Sequence, residues 1–435
     1  MRALLLVENM SVPADRRVWQ ECVTLARAGH EVVVVCPQGA DRDREAFERR
    51  DGVEIHRYPA HPATGGPVGY AREYASALWH TRRLVRRLAR ERRFDVVHAC
   101  NPPDLLLLAA WPLKRRGTAL VFDHHDLVPE LYLSRFARGR DLLYELTRVL
   151  ERVTFALADV VIATNDSYRR VALQRGKKAP EDVFVVRNGP DLARLRPGEP
   201  DPELRRGRDH LIAYVGVIAP QDGVDHALRA LAALRERRDD WRAVFVGDGD
   251  ALPELRRLAE ELGLDGSVDF AGWQDDVGVR RVLASADVCL SPEPRSPLND
   301  ASTMIKVAEY MAMGKPVACY DLVESRATAG DAAVYARPND ERALAVAISQ
   351  LLDDPQRRAA MGAYGRARVE QTLAWVHSER TLLAAYERAV TRPRRARGWM
   401  RSRPSVSALR TSGHGRHGGD GTVETSTASS RSSAS

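Results

Sequence analysis

The chain has 435 residues, room for two or three domains, and its 44% hydrophobic and 29% charged residues are those of a globular protein, not a fibrous or disordered one. The longest apolar stretch, Leu105–Leu113, contains Pro112 and is far shorter than the roughly 20 residues a membrane helix needs; the start, MRALLLVENM, turns polar without a signal-peptide pattern. Of the net charge of +7, most belongs to the Ser/Gly/Arg-rich tail from Pro393 to Ser435, with 8 arginines against 2 acids, so the body offers no overall basic face for nucleic acid. The tail (393–435) reads as disordered. Five dispersed cysteines, with no CxxC or Cys/His cluster, argue against a zinc site or disulfides and fit a reducing, cytoplasmic setting.

Short apolar runs then alternate with helical patterns. Strands are predicted at Ala3–Val7, Glu31–Cys36, Val53–Tyr58, Val96–Cys100, Ala119–Asp123, Val160–Thr164 and Val183–Arg187. Helices are predicted at Val18–Ala28, Tyr70–Arg93, Leu105–Arg115 and Asp141–Leu157. Residues 188–208 are dense in proline, glycine and charge and read as a linker. The alternation then restarts. Strands are expected at Leu211–Val217, Ala243–Val246, Val268–Ala271, Val288–Leu290, Val317–Cys319 and Ala333–Tyr335. Helices are expected at Gly223–Arg237, Leu252–Leu262, Val279–Ala284, Ser302–Met313 and from Glu341 to about Val390. Nearly all-apolar strands in alternation with helices imply parallel sheets covered on both faces. The fold class is α/β: two Rossmann-like doubly wound domains facing across a cleft. The boundaries are 1–190, a linker at 191–208, 209–375, a helix at 376–392 returning to the first domain, and the tail. Ligands of such sheets bind at the carboxyl ends of the strands.

The segment Leu290 to Asp321, LSPEPRSPLNDASTMIKVAEYMAMGKPVACYD, carries the most specific chemistry. Ser302 or Thr303 suits an N-cap, and the amides opening that helix would cradle a phosphate. Lys306 would add a cation, and Glu309, three residues on, would accept from a ribose diol. The alternative is an ordinary strand–helix unit with a surface Lys–Glu pair. In the first half, strand ends carry Glu8-Asn9, Asn101 to Asp104 and Asp123 to Asp126. Neighbouring histidines on a strand end face opposite ways, so only one of His124 and His125 faces the cleft. Asp15 and Arg16 read either as a cap with a salt-bridge partner or as a contact to an anionic acceptor. Arg82, Arg83, Arg86, Arg87, Arg90, Arg92 and Arg93 crowd one helix, either as a solvated face or as a surface attracted to an anionic bilayer.

The segment around EYMAMGKPV resembles the signature of family 4 retaining glycosyltransferases, which have the GT-B fold. The resemblance also rests on AYVGVIAPQDGVD (213–225), VGDG (246–249) and FAG (270–272). In the first half it rests on the segment from Asp15 to Pro37, FDHHDLVPELY (122–132) and RNGPD (187–191). It implies transfer of a hexosyl group, an N-acetylated aminosugar, from a UDP-sugar to a lipid-linked or polysaccharide acceptor, with retention. It implies no obligatory metal and no cofactor beyond the nucleotide-sugar. The expected donor-binding residues are Gly216, Val217, Gly247, Asp248, Gly249, Gly272, Asn299, Ser302, Thr303, Met304, Lys306 and Glu309. His125, Asp126, Lys306 and Glu309 are the expected catalytic group. Asn9, Asp15, Arg16, Asn101, Asp104 and His124 are expected around the acceptor. The pattern departs from the family at Ala301, where the first glutamate of E-x7-E would fall, and at Val217 and Asp222, where an arginine and a lysine are usual. Lys306, with Arg295 as a weaker second, would then supply the missing positive charge. A nucleotide-sugar 2-epimerase and a non-catalytic nucleotide-sugar-binding scaffold are the competing readings.

Overall fold

The computed structural model describes residues 1–39, 43–60, 66–136 and 139–392. The tail expected to be disordered lies outside them. Residues 1–392 form one compact unit.

Two parallel sheets organise it. The first contains β1 (Arg2–Leu6), β2 (Glu31–Pro37), β3 (Phe47–Arg50), β4 (Val53–Tyr58), β5 (Val96–Cys100), β6 (Ala119–His124), β7 (Val160–Ala163) and β8 (Val183–Val185). Their order is β3-β4-β2-β1-β5-β6-β7-β8, all parallel except the β3–β4 pair. The second contains β9 (His210–Val215), β10 (Trp241–Val246), β11 (Val268–Gly272), β12 (Val288–Ser291), β13 (Val317–Tyr320) and β14 (Ala333–Ala336). Its order is β11-β10-β9-β12-β13-β14. Strands such as ALLL and VVVV are buried on both faces, which is why they carry no polar alternation. Each order reverses beside its first strand, between β1 and β5 and between β9 and β12. Such reversal points open a crevice at the strand carboxyl ends, and the loops that leave them carry the candidate site residues.

The structure corrects several expectations. The edge strand β3 (FERR) lacks an apolar run. It is paired to β4 through Asp51-Gly52, both with positive φ, the arrangement of a tight hairpin turn. Helices at Val128–Phe136 and Asp166–Gln174 also have no counterpart in the sequence reading. The expected helix Leu105–Arg115 is a 3-10 stretch, Asp104–Ala110, followed by one turn of α-helix, Trp111–Lys114. The expected helix Ser302–Met313 is two helices, Pro297–Ala301 and Ile305–Ala312, with Ser302–Met304 extended between them.

The final helix, Trp375–Thr391, packs Trp375, Leu382, Ala385, Tyr386 and Ala389 into the core of the first sheet. Tyr386 Oη meets His98 Nδ1 at 2.8 Å, and Trp375 Nε1 donates to Thr24 Oγ1 at 2.9 Å. The helix Trp375–Thr391 is thereby tied to the N-terminal lobe. No helix among the described residues is long and apolar enough to cross a membrane.

Candidate active site

The C-terminal wall of the crevice is built by backbone pressed on backbone. A Cβ at Gly247 would lie 1.8 Å from the Gly216 oxygen, and one at Gly249 would lie 2.2 Å from the Ile218 oxygen. Only glycine lets the turns after β9 and β10 approach this closely. The Gly247 amide donates to the Gly272 carbonyl at 2.9 Å, which brings the turn after β11 into the same layer. Val217 and Asp248 stand exposed on this rim. Gly223 is pressed against the loop after β12, where a Cβ would meet the Pro292 oxygen at 2.3 Å. Asn299 fastens the two loops, donating from its amide nitrogen to the carbonyls of Gln221 (3.0 Å) and Pro294 (2.9 Å).

Beneath Gly216 lies Lys306, whose Cε would sit 2.8 Å from a Cβ at that position. The lysine is buried and already partnered. Its Nζ donates to Glu293 at 2.6 Å and to the Tyr214 hydroxyl at 2.9 Å, with a longer contact to Asp222 at 3.4 Å. Burial opposes its charge, but Glu293, Tyr214 and Asp222 more than compensate and hold its pKa well above the ordinary lysine range. Burial meanwhile raises Asp222, the partner at the longest of the three distances. The expected cation is thus a fixed ammonium in a carboxylate cage, and the alternative of a Lys306–Glu309 pair on the surface is corrected to a buried pair with Glu293. Arg295 is engaged as well, donating to the Asp321 carbonyl at 2.7 Å.

The expected side-chain cap at Ser302 or Thr303 is replaced by Met304, which caps the Ile305–Ala312 helix without a side-chain bond. Ser302 Oγ turns back to the Leu298 carbonyl at 2.8 Å and meets the Tyr168 hydroxyl at 3.2 Å. Asn165 donates to Thr303 Oγ1 at 3.0 Å and to the Ala301 carbonyl at 2.8 Å. Both hydroxyls thus serve the contact between lobes, and Ala301 sits packed against the N-terminal core. The amides of Ile305 and Lys306 still open a helix, where backbone donors lack intrahelical partners.

Glu309 and Lys306 part company despite their spacing. Glu309 pairs with Arg194 from the linker, and Arg16 of the N-terminal lobe approaches it at 3.9 Å. Arg16 and Arg194 both also pair with Asp276, at 2.6 and 3.1 Å. Asp15 accepts from the Val18 amide at 3.1 Å as the cap of the Arg16–Arg27 helix. So this pair caps a helix and bridges the lobes.

Across the crevice, Asp123, His124 and His125 end β6. Asp123 is buried and takes a bidentate pair from Arg17, Nη2 to Oδ1 at 2.9 Å and Nε to Oδ2 at 3.2 Å. His125 Nε2 lies 2.5 Å from Asp123 Oδ2 and 2.8 Å from Arg17 Nε, so protonated it donates to the first and unprotonated it accepts from the second. Asn101 Oδ1 accepts from the backbone amides of His125 (2.6 Å) and Asp126 (3.1 Å), while its nitrogen donates to Asp104 at 2.8 Å. Asn101 and Asp104 are both buried, and burial pushes Asp104 up to about 8. They hold the turn that presents His125. Burial also raises Asp126. His124 is corrected out of the cleft. It is fully buried among Phe122, Phe155 and Tyr168, and burial lowers its pKa to about 3. Asn9 is exposed at the rim of a cavity beside β1.

Nothing in the sequence marks Arg17, Arg194 or Asp276 as site residues; Arg17 lies inside the Asp15–Pro37 segment, Asp123 among the polar groups at the strand ends and Glu293 inside the Leu290–Asp321 segment. Among the described residues, Glu21, His98, Cys100 and Asp123 bring possible metal-ligand atoms within 4.8 Å of one another. Arg17 pairs with both carboxylates there, so a cation would face its charge at once.

Known proteins resemble this chain in sequence and in fold. A family model described as "Glycosyl transferase 4-like domain" matches residues 14–189, and one described as "Glycosyl transferases group 1" matches residues 209–354. A D-inositol 3-phosphate glycosyltransferase of Thermomonospora curvata is 31% identical over 300 residues, covering 63% of this chain and 68% of that one. An alpha-D-kanosaminyltransferase of Streptomyces kanamyceticus is 26% identical over 356 residues, covering 76% and 88%. The solved structure of Anabaena HepE in complex with UDP-glucose superposes with a TM-score of 0.64 at 18% identity, covering 89% and 99%.

Proposed function

This chain belongs to the GT4-type glycosyltransferases of the GT-B fold, and we propose that it moves a hexosyl group, an N-acetylated aminosugar, from a UDP-sugar to a lipid-linked or polysaccharide acceptor with retention of configuration. The observation that carries the reading is that each lobe builds a strand-end loop system: the glycine turns over Lys306 in one and the Asn101-held His125 in the other. The UDP-glucose bound to HepE supports the nucleotide, and the name of the kanosaminyltransferase supports the aminosugar.

The leaving diphosphate gains negative charge as the glycosidic bond breaks. Fixed donors aimed at it contribute most, because they need no rearrangement in the transition state. The amides at Ile305 and Lys306 fill that role, and Lys306 exchanges its long contact to Asp222 for a phosphate oxygen. Glu309 exchanges Arg194 for the ribose diol. His125, with Asp126 beside it, faces the transferred sugar. These donors stand in for a divalent metal, so turnover is expected to survive EDTA.

Incubation with labelled UDP-sugars and lipid or glycan extracts tests the reading through acceptor-dependent UDP release. Donor binding without turnover across a broad acceptor panel would favour a scaffold, and release of a free epimer would favour a 2-epimerase. His125→Ala is expected to lower kcat by about 10²–10³-fold, the usual scale for one positioned catalytic group, with UDP affinity unchanged. A fall in UDP affinity instead would move His125 out of the sugar site.

The arginine helix, Gly66–Glu91 with the residues just beyond it, supports an approach to an anionic membrane surface from the cytoplasmic side. Arg92 is tied to Glu54 and Glu31, but Arg82, Arg86, Arg90 and Arg93 are exposed and form no ion pair among the described residues. At about 1 kcal/mol each, their fourfold replacement by alanine should reduce partitioning onto phosphatidylserine vesicles by about a thousandfold. Unchanged co-sedimentation would show the helix to be a solvated face.

A further inference from the structure

We propose that the cavity at the carboxyl ends of β1, β2 and β4 is an acceptor subsite for a protonated amine carried on a single sugar or cyclitol ring, with Glu8 receiving the ammonium. This rests on the reading of the N-terminal lobe as the acceptor lobe. The cavity has a volume of about 300 Å³ and is lined by Glu8, Gln38 and Tyr58 from the strand ends and by Glu73 and Ser76 from the long helix. That volume is at the small end of ligand pockets and suits one ring. None of its described lining residues is basic.

Glu8 is the observation that points to a ligand. Its side chain lines the cavity at 8% exposure and makes no hydrogen bond or ion pair among the described residues. A buried carboxyl without a partner is costly to keep and is normally paired. Burial, with the charge of Glu73 added, pushes Glu8 up to about 8. The other titratable groups facing it are Tyr58 at the end of β4 and Tyr74 on the helix, whose phenols Glu8 itself helps to raise; Arg135 acts on Tyr74. An anionic ligand would be repelled there. A neutral polyol would leave the carboxyl without the charge it lacks. An ammonium within hydrogen-bond reach favours the ionised carboxylate directly. The end of β1, which lines the cavity, also flanks the β1–β5 reversal, and β5 leads into Asn101, which holds His125 in place.

Binding therefore moves one proton. The neutral carboxyl at pH 7 gives up its proton to solvent as the ammonium docks, and the ring's own charge is kept. Calorimetry with methyl α-glucosaminide at pH 7, in phosphate and in Tris, should show a buffer-dependent heat corresponding to proton release. Methyl α-glucoside and the N-acetylated glucosaminide should bind at least tenfold more weakly. Glu8→Gln should erase that preference while leaving the UDP-induced rise in melting temperature intact. Equal binding of amine and alcohol, no binding of the amine, or binding without proton release in the wild type would each overturn the proposal, whatever the variant does. If UDP fails to bind while the amine still does, the donor reading has failed and the subsite stands. The reverse result removes the subsite alone.

Discussion

Lys306→Met is expected to remove donor-dependent turnover and to lower the unfolding free energy by about 3–5 kcal/mol, the cost of breaking a buried ion pair from one side. The reason is local. Glu293 is 1% exposed, its other side-chain bond is from Ser291 Oγ, and Lys306 is the cation at 2.6 Å that justifies its charge. Methionine fits the space beneath Gly216 and against the Tyr214 ring, where Nζ now lies 4.5 Å from the centroid, so shape is nearly conserved and charge is not. A second substitution separates the two roles of the lysine. Glu293→Gln in the Lys306→Met background removes the orphaned charge and should return most of the lost stability, since replacing both partners is far milder than removing one. It should not return UDP affinity. Denaturant titration and UDP titration of the single and double variants read the two effects independently. Full UDP affinity in either variant would take Lys306 out of the phosphate site.

The residues of this cage show what could and could not be read in advance. The strands of both sheets were legible because burial on both faces forces continuous apolar runs, and the glycine turns because close backbone approach excludes every side chain. Lys306 was legible as a cation near the strand ends. Its partners were not: Glu293 and Asp222 are 13 and 84 residues away and reach it only through the packing of two loops. The break at Ser302–Met304 is a tertiary effect of the same kind. Both hydroxyls look like caps in sequence, but Tyr168 and Asn165 from the other lobe, with the Leu298 carbonyl, outcompete the helix for them. Arg194 lies in a linker whose composition says only that it is a linker, yet it covers Glu309. The edge strand β3 was missed for the opposite reason. Its signal, Asp51-Gly52, was local and present, but four largely charged residues beside it hid a strand that needs no apolar face at the edge.

Arg17→Met is expected to be the most destabilising single change in the N-terminal lobe, again by about 3–5 kcal/mol at neutral pH. One guanidinium, buried at the start of a helix, pairs bidentately with Asp123 and with Glu21 at 3.1 Å, and donates to the Val186 carbonyl at 2.9 Å and to Asn188. It thereby joins β6, its own helix and the segment that leads into the linker. Arg17→Lys should recover only a small part of the loss, because an ammonium cannot span these acceptors in one plane. The pH dependence identifies the cause. Burial alone would raise Asp123, but Arg17 and the hydrogen bonds from His125 and His98 hold it well below the ordinary carboxylate range. Burial and the charge of Asp123 keep Glu21 well above that range, so the pair shares one negative charge against one positive charge. A carboxylate with a depressed folded-state pKa contributes stability above its unfolded pKa of about 4 and loses it as pH falls through the folded value. Without Arg17, Asp123 has no such depression and takes up a proton readily. The stability gap between wild type and Arg17→Met should thus be full at pH 7 and narrow as pH drops through the ordinary carboxylate range. Urea unfolding at pH 7, 5 and 4 measures it. A gap that stays constant over that range would mean that lost packing, not the buried charge of Asp123, is what the arginine supplies.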